Sequence, residues 1–173
     1  MAVRYWVGGT ATWDATTTAN WSATSGGTSG ASVPGSADTV FFDANSGANT
    51  ITLGYSPTVI SITMTGFTGT FNGVGASYTI TLNGTGIVFT GGGTISGSPN
   101  FTLSDTSTTA RTFAAGARTI GTLTIGGSAG ISTTTIATGS TFSTIASTKT
   151  VAHTIIFNGS ATFANWTVTG TAG

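Results

Sequence analysis

Apolar residues return along this chain about every twenty positions. Ile62, Leu82, Leu103, Leu123, Phe142 and Phe163 are separated by 20, 21, 20, 19 and 21 positions, each inside a short Thr-rich segment in which apolar and polar residues alternate. A second, looser series, Phe71, Phe89, Phe113, Ile136 and Phe157, steps by 18 to 24. Alternation with a period of two is the strand pattern. A beat of this length is the mark of a stacked coil, in which each rung covers its neighbour's apolar face. Strands are expected over 39–43, 49–53, 58–64, 78–82, 87–90, 101–103, 120–125, 150–157 and 162–169. Between them lie turn signals: Asn72-Gly73, Asn83-Gly84, the run Gly91-Gly92-Gly93, Gly126-Gly127 and Asn158-Gly159. Asn-Gly favours turns with positive φ. The same strands and turns would also serve an antiparallel β-sandwich or jelly roll. The persistence of the beat over five steps favours an all-β parallel β-helix or solenoid.

Composition narrows the picture further. At 173 residues the chain is expected to form one domain. Only 5% of its residues are charged, against a typical share of about 25%. Glu is absent, the acids being Asp14, Asp38, Asp43 and Asp105 and the bases Arg4, Arg111, Arg118 and Lys149. The formal net charge is zero, so neither nucleic acid nor an anionic membrane is an expected partner. No segment is long and apolar enough to insert across a bilayer. Without cysteine there is no disulfide and no thiolate metal site. The opening MAVRYWVGG lacks the apolar run of a secretion signal. The chain is therefore expected to act where it is made or to leave by another route, such as incorporation into a virus particle. A neutral, charge-poor β surface also favours concealment within an assembly.

Two regions are expected. Residues 1–48 would form an N-terminal aromatic cap with a flexible loop or linker over 22–32, and residues 49–173 a Thr/Gly-rich solenoid body. The final TGTAG carries no capping pattern. Another subunit or further chain is expected to cover that end.

The most specific motif lies in residues 4–44. Its skeleton is Trp6-x-Gly8, Trp13-Asp14, Asn20-Trp21, then Pro34-x-x-x-Asp38-x-Val40-x-Phe42. This pattern suits a cap: indoles can cover the open end of an apolar coil, and Asp and Asn can hold bends by accepting from nearby backbone N–H groups. The cap residues so identified are Trp6, Trp13, Asp14, Asn20, Trp21, Asp38 and Phe42. This segment resembles the start of parallel β-helix regions in bacterial autotransporter-type surface proteins, and of structural proteins from tailed bacteriophages. The resemblance covers about the first 45 residues in motif and the remainder in style only. The missing leader and the missing membrane-anchoring barrel depart from the autotransporter pattern and favour the phage one. What the phage resemblance implies is a fibre, spike or capsid-decorating role in the virion, commonly as a homotrimer contacting other virion proteins.

Signals for catalysis are sparse. A polysaccharide-cleaving spike needs two carboxylates across a groove, and the body holds only Asp105. Asp14, Asp38 and Asp43 could bind Ca²⁺ through oxygen, but loop-fixing aspartates are the better reading, and no metal or cofactor is expected. His153 is the only histidine and alternates with apolar neighbours, which points to a structural place; no G-x-S-x-G elbow occurs. Gly91-Gly92-Gly93 lacks a following Lys and reads as a turn, not a phosphate loop. Trp166 is a candidate glycan or subunit contact. Alternation puts Phe163 and Trp166 on opposite faces of a straight strand, which weakens a shared sugar platform. The sequons at Asn20, Asn83, Asn100, Asn158 and Asn165 are chance matches in so Thr-rich a chain. The pairs Thr63/Thr65, Thr79/Thr81, Thr122/Thr124 and Thr167/Thr169 recur near the rung spacing. A flat Thr array on a solenoid is a surface type used to bind ice, although outward Thr is also ordinary strand chemistry.

The sequence therefore leads to the expectation of a non-enzymatic virion component, a decoration, head-fibre or tail-fibre subunit acting by rigid presentation and self-assembly. The alternatives are a carbohydrate-binding or adhesive module at a cell surface, and a polysaccharide-cleaving tailspike that would depend on Asp105.

Overall fold

A computed structural model describes residues 1–105, 107–128 and 132–169. The chain is a parallel β-solenoid. Its first rung comprises β1 (Ala2–Trp6) and β2 (Ala11–Trp13), followed by β3 (Trp21–Ser22). The next three rungs are β4 (Asp38–Phe41), β5 (Thr50–Leu53) and β6 (Thr58–Val59); β7 (Ser61–Thr63), β8 (Thr70–Asn72) and β9 (Thr79–Leu82); then β10 (Gly86–Thr90), β11 (Thr94–Ser96) and β12 (Asn100–Asp105). Below them the coil keeps two strands per turn: β13 (Arg111–Ala114) with β14 (Thr119–Gly127), β15 (Thr133–Ile136) with β16 (Thr141–Ser147), and β17 (Thr154–Phe157) with β18 (Thr162–Val168).

Stacking these rungs builds three sheets. The first runs β3-β1-β4-β7-β10-β13-β15-β17, the second β2-β5-β8-β11 and the third β6-β9-β12-β14-β16-β18. Every pairing is parallel except β3 with β1. Seven successive coil strands of the first sheet, β1 to β17, give about six turns. The second sheet stops at β11, so the coil passes from three sides to two. β14 and β16 lengthen to nine and seven residues to cover the lost side.

The core lies inside this coil as columns of residues in register. On the first sheet Val40, Ile62, Phe89, Phe113, Ile136 and Phe157 stand one above another. On the third sheet the columns are Ile80, Phe101, Leu123, Ile145 and Trp166, and beside it Leu82, Leu103, Ile125, Ser147 and Val168. The ring of Phe89 is stacked on Phe113 at 4.7 Å and lies 4.8 Å from Phe101. The columns correct the sequence-derived beat in detail. Ile62 belongs to the first sheet and Phe71 to the second, so neither is stacked with the series read through it. Leu103 lies over Ile125, not Leu123, because corners of unequal length separate the strands.

Three more local expectations change. The stretch 58–64 is broken into β6 and β7, with Ile60 at a corner between two sheets. Residues 1–48 are not a separate unit, since β1, β2 and β4 are rungs of the same sheets as the body. The segment 22–32 is a tethered loop and not a linker. The Ser25 hydroxyl donates to Asp43 at 2.6 Å, and Arg4 donates from Nε and Nη2 to the Ser32 carbonyl (2.9 Å) and hydroxyl (2.7 Å). Residues 170–173 of the final TGTAG, and the side chain of Asp105, lie outside the described structure.

The run Gly91-Gly92-Gly93 turns the coil from the first sheet into the second. A Cβ at Gly92 would collide with the Met64 carbonyl of the rung above. Gly92→Ala is expected to destabilise by about 1–3 kcal/mol, read as a lowered urea midpoint. Gly35→Ala, whose Cβ would meet nothing closer than Asp38 Oδ2 at 4.0 Å and whose φ is ordinary, is expected to leave the midpoint unchanged.

Candidate functional site

Two features stand out on the described chain, an aromatic plug at the N-terminal end and a regular polar face along the third sheet. The plug is made by Trp6 at the end of β1, Trp13 at the end of β2, and Trp21 opening β3, all fully buried with Phe42. The Trp6 and Trp21 rings meet edge to face at 5.1 Å, and Trp13 and Trp21 at 5.3 Å. Phe42 lies beneath them, 5.8 Å from Trp13, and continues to Phe71 at 5.6 Å. Aromatic pairs in this geometry add about 0.5–1.5 kcal/mol beyond their burial. β3 runs antiparallel to β1 and occupies what would otherwise be the open edge of the first sheet.

Short polar side chains hold the plug's backbone. Asp14 Oδ1 accepts from the Thr16 and Thr17 N–H groups, both at 2.7 Å, and Oδ2 from the Thr17 hydroxyl at 2.7 Å. These bonds, the Thr16 N–H foremost, lower the Asp14 pKa to about 2. Asn20, almost fully buried, donates to the Thr12 carbonyl at 3.1 Å. The same side chain fills the space a Cβ on Gly8 would need, which accounts for glycine there. Asp38 accepts from the Ala2 N–H at 2.9 Å and the Gly35 N–H at 3.1 Å. Asp43 accepts from the Asn45 and Ser46 N–H groups, and the Ser46 hydroxyl reaches the Trp6 carbonyl at 2.8 Å. The carboxylates of Asp14, Asp38 and Asp43 are thus spent on separate bends. Among the described residues no group of three or more His, Cys, Asp or Glu side chains is placed to hold a metal ion.

Two hydroxyl pairs were missed by sequence reasoning. His153 Nδ1 lies 2.9 Å from the Val151 carbonyl. That oxygen can only accept, so Nδ1 carries the proton and Nε2 accepts from the Ser147 hydroxyl at 2.8 Å. Lys149 Nζ donates to the Ser132 hydroxyl at 2.9 Å. Each pairs a hydroxyl with a basic group, as an activated nucleophile does. However, Ser147 is 2% exposed and Ser132 4%, so no substrate carbonyl can reach either oxygen. They act as clamps within the lower turns. The six-residue separation of Ser147 and His153 gave no periodic signal that could have announced the contact.

The outward side of the third sheet is the second feature. One column runs Thr58, Thr81, Thr102, Thr124, Ala146 and Thr167. Two residues away along each strand, Thr79 pairs with Asn100 and Thr144 with both Thr122 and Asn165. The alternation of β9, β12 and β14 places Thr122 beside Asn100 in the same outer column. Of the Thr-x-Thr pairs read in the sequence, Thr79/Thr81 and Thr122/Thr124 fall on this face. Thr63 lies on the first sheet, and Thr65 and Thr169 lie beyond strand ends.

At the far end, the inner positions of the last described rung are partly open. Phe157 is 37% exposed, Phe163 36% and Trp166 43%, with ring centroids 5.5–5.8 Å apart. The expectation that Phe163 and Trp166 face opposite ways is overturned. The ladder with β16 skips Ala164, pairing Phe142 with Phe163 and then Thr144 with Asn165. The bend there shifts the alternation by one, so both rings point inward.

Comparison with protein-family models, curated proteins and solved structures gives no match. The class that the fold defines is that of the parallel β-solenoids.

Trp6 Nε1 donates to the Gly9 carbonyl at 2.9 Å, whereas Trp21 Nε1 is buried without a hydrogen-bond partner. Trp6→Phe is therefore expected to cost about 1 kcal/mol more than Trp21→Phe in denaturant unfolding. Asp14 contributes stability above its ordinary pKa of 3.8, and that contribution is lost as pH falls towards about 2. Asp14→Ala is expected to lower the melting temperature at pH 7, with the difference from wild type shrinking between about pH 4 and 2.

Proposed function

We propose that this protein is a non-enzymatic structural component of a tailed-phage particle, a decoration, head-fibre or tail-fibre subunit. The observations that carry the reading are a rigid stack sealed at its N-terminal end and an exposed aromatic cluster on its last described rung. At one end β3, the tethered loop and three buried indoles seal the coil. On the last described rung, Phe157, Phe163, Trp166 and Val168 are partly exposed. Contiguous exposed apolar groups of this kind mark contact surfaces. A rigid coil with a sealed N-terminal end and an exposed aromatic cluster suits attachment through that cluster and presentation of the rest. The charge-poor surface supports close packing of copies, and a threefold assembly fits the resemblance of the N-terminal motif to phage proteins.

A second reading, a glycan-binding or adhesive module, is favoured by the same three rings, which form a compact aromatic platform. Light scattering on the purified chain separates the two. A stable trimer that falls to monomer on Trp166→Asp, with the fold retained by circular dichroism, is expected. A wild-type monomer whose tryptophan emission is quenched by oligosaccharides would replace the structural reading with the adhesive one.

A further inference from the structure

We infer that Asn158 is a site of spontaneous covalent modification, deamidation through a cyclic imide, and this inference is independent of the assembly proposed above. The chain carries three Asn-Gly pairs, at Asn72, Asn83 and Asn158. In such a pair the glycine nitrogen can turn and attack the preceding side-chain carbonyl, because glycine has no side chain to obstruct it. The reaction needs only water. The Gly159 nitrogen gives up its proton and forms a bond to Asn158 Cγ, the amide C–N bond breaks, and ammonia leaves. Water then opens the imide at either carbonyl, leaving aspartate or isoaspartate.

The fold treats the three pairs differently. The Gly73 N–H donates to the Ser96 carbonyl at 2.9 Å, and Asn72 Oδ1 accepts from the Val74 N–H at 3.0 Å. The Gly84 N–H donates to the Ile60 carbonyl at 3.1 Å, and Asn83 Nδ2 to the Ser36 carbonyl at 3.0 Å. In both pairs the attacking nitrogen and the amide it would attack are tied to other groups, and those bonds must break first. At the third pair neither is tied. Among the described residues nothing bonds the Gly159 N–H or the Asn158 carboxamide, and both residues are exposed. The corner is anchored on either side of them, by the Asn158 N–H on the Ile136 carbonyl at 2.9 Å and the Gly139 N–H on the Ser160 carbonyl at 2.6 Å. Glycine is also demanded at 159, where φ is +87° and an added Cβ would come within 2.8 Å of Thr138 Cβ. The backbone thus requires the very residue that leaves Asn158 open to attack. The product sets a carboxylate beside Phe157, whose ring is stacked on Phe163 at 5.5 Å. Isoaspartate further lengthens the main chain by a methylene just past the end of β17. A chain of zero formal charge therefore turns negative next to its exposed aromatic cluster as it ages.

The test is storage of the folded protein in warm, mildly alkaline buffer, followed by mass spectrometry of its tryptic peptides and enzymatic detection of isoaspartate. Cleavage after Lys149 releases residues 150–173, which separates Asn158 from Asn72 and Asn83, and fragmentation separates it from Asn165. Acid and isoaspartate are expected to accumulate at Asn158 several-fold faster than at Asn72 or Asn83. In the urea-unfolded chain, where the bonds of all three pairs are gone, the three rates are expected to converge. Asn158→Gln, which would have to close a larger ring, is expected to melt as wild type does and to leave residues 150–173 unmodified over the same period. Conversion at Asn158 no faster than at Asn72 and Asn83 in the folded protein overturns the inference. So does an Asn158 that stays an amide while the unfolded chain converts. Acid formed at Asn158 without isoaspartate would overturn the imide route.

Discussion

Each turn of this coil depends on the turn beside it for burial. A rung of three short strands has no interior of its own, and Phe101, Leu123 and Ile145 leave water only because they stand in register over one another. At about 25 cal/mol per Å² of apolar surface removed from water, the stabilisation comes from vertical contact and very little from within a rung. The fold is therefore stable in its middle and vulnerable at its ends. This dependence explains why so much specific sequence is concentrated in the first 43 residues. Three indoles, an antiparallel strand and a loop tied down by Arg4 and Asp43 serve to end the stack.

The same vertical register governs the surface. A residue on an outward position has its copy-equivalent one rung above and one below at ladder distance. Like charges so placed destabilise the pair, so a column tolerates hydroxyls and methyls better than carboxylates or ammonium groups. The low charge content and the stacked Thr follow in part from this. The charged residues within the ladders stand over no like charge: Arg111 lies between Gly86 and Thr134, and Arg4 is paired with Val40. Arg4 tops the first-sheet column and bonds Ser32, Arg111 donates to the Gly84 carbonyl at a corner, and Arg118 donates to Gly93 and Ala115 where the second sheet stops.

The stacked coil was legible because its alternation and its beat reinforce each other. The exact columns were not. Corner loops change the repeat from 27 positions between Ile62 and Phe89 to 21 between Ile136 and Phe157, so equal spacing and vertical stacking are different properties. β8 and β11, at three residues each, are too short for alternation to announce them. The cap residues were legible from the W-D and N-W pairs because indoles and bend-fixing side chains are rare and specific signals. The tethering of 22–32 was hidden in Gly/Ser/Thr composition, since its anchors, Asp43 and Arg4, lie elsewhere in the chain. The Phe163–Trp166 contact was misread because period two holds only for a straight strand, and β18 bends at Ala164.

The change from three sides to two alters how the third sheet is supported. While three sheets enclose the core, the third sheet is held by inner contacts from both others. Below β11 it rests only on the first, and β14 and β16 must bend to close the gap. That bend brings Phe142 and Phe163 inward at one end of the strand, while Thr144 stays paired with Asn165 in the outward column. The same backbone adjustment places Phe163 and Trp166 together on the inner side of the last described rung. Inner and outer residues of β16 and β18 thus stay on opposite sides although the strict alternation breaks between Phe142 and Ile145.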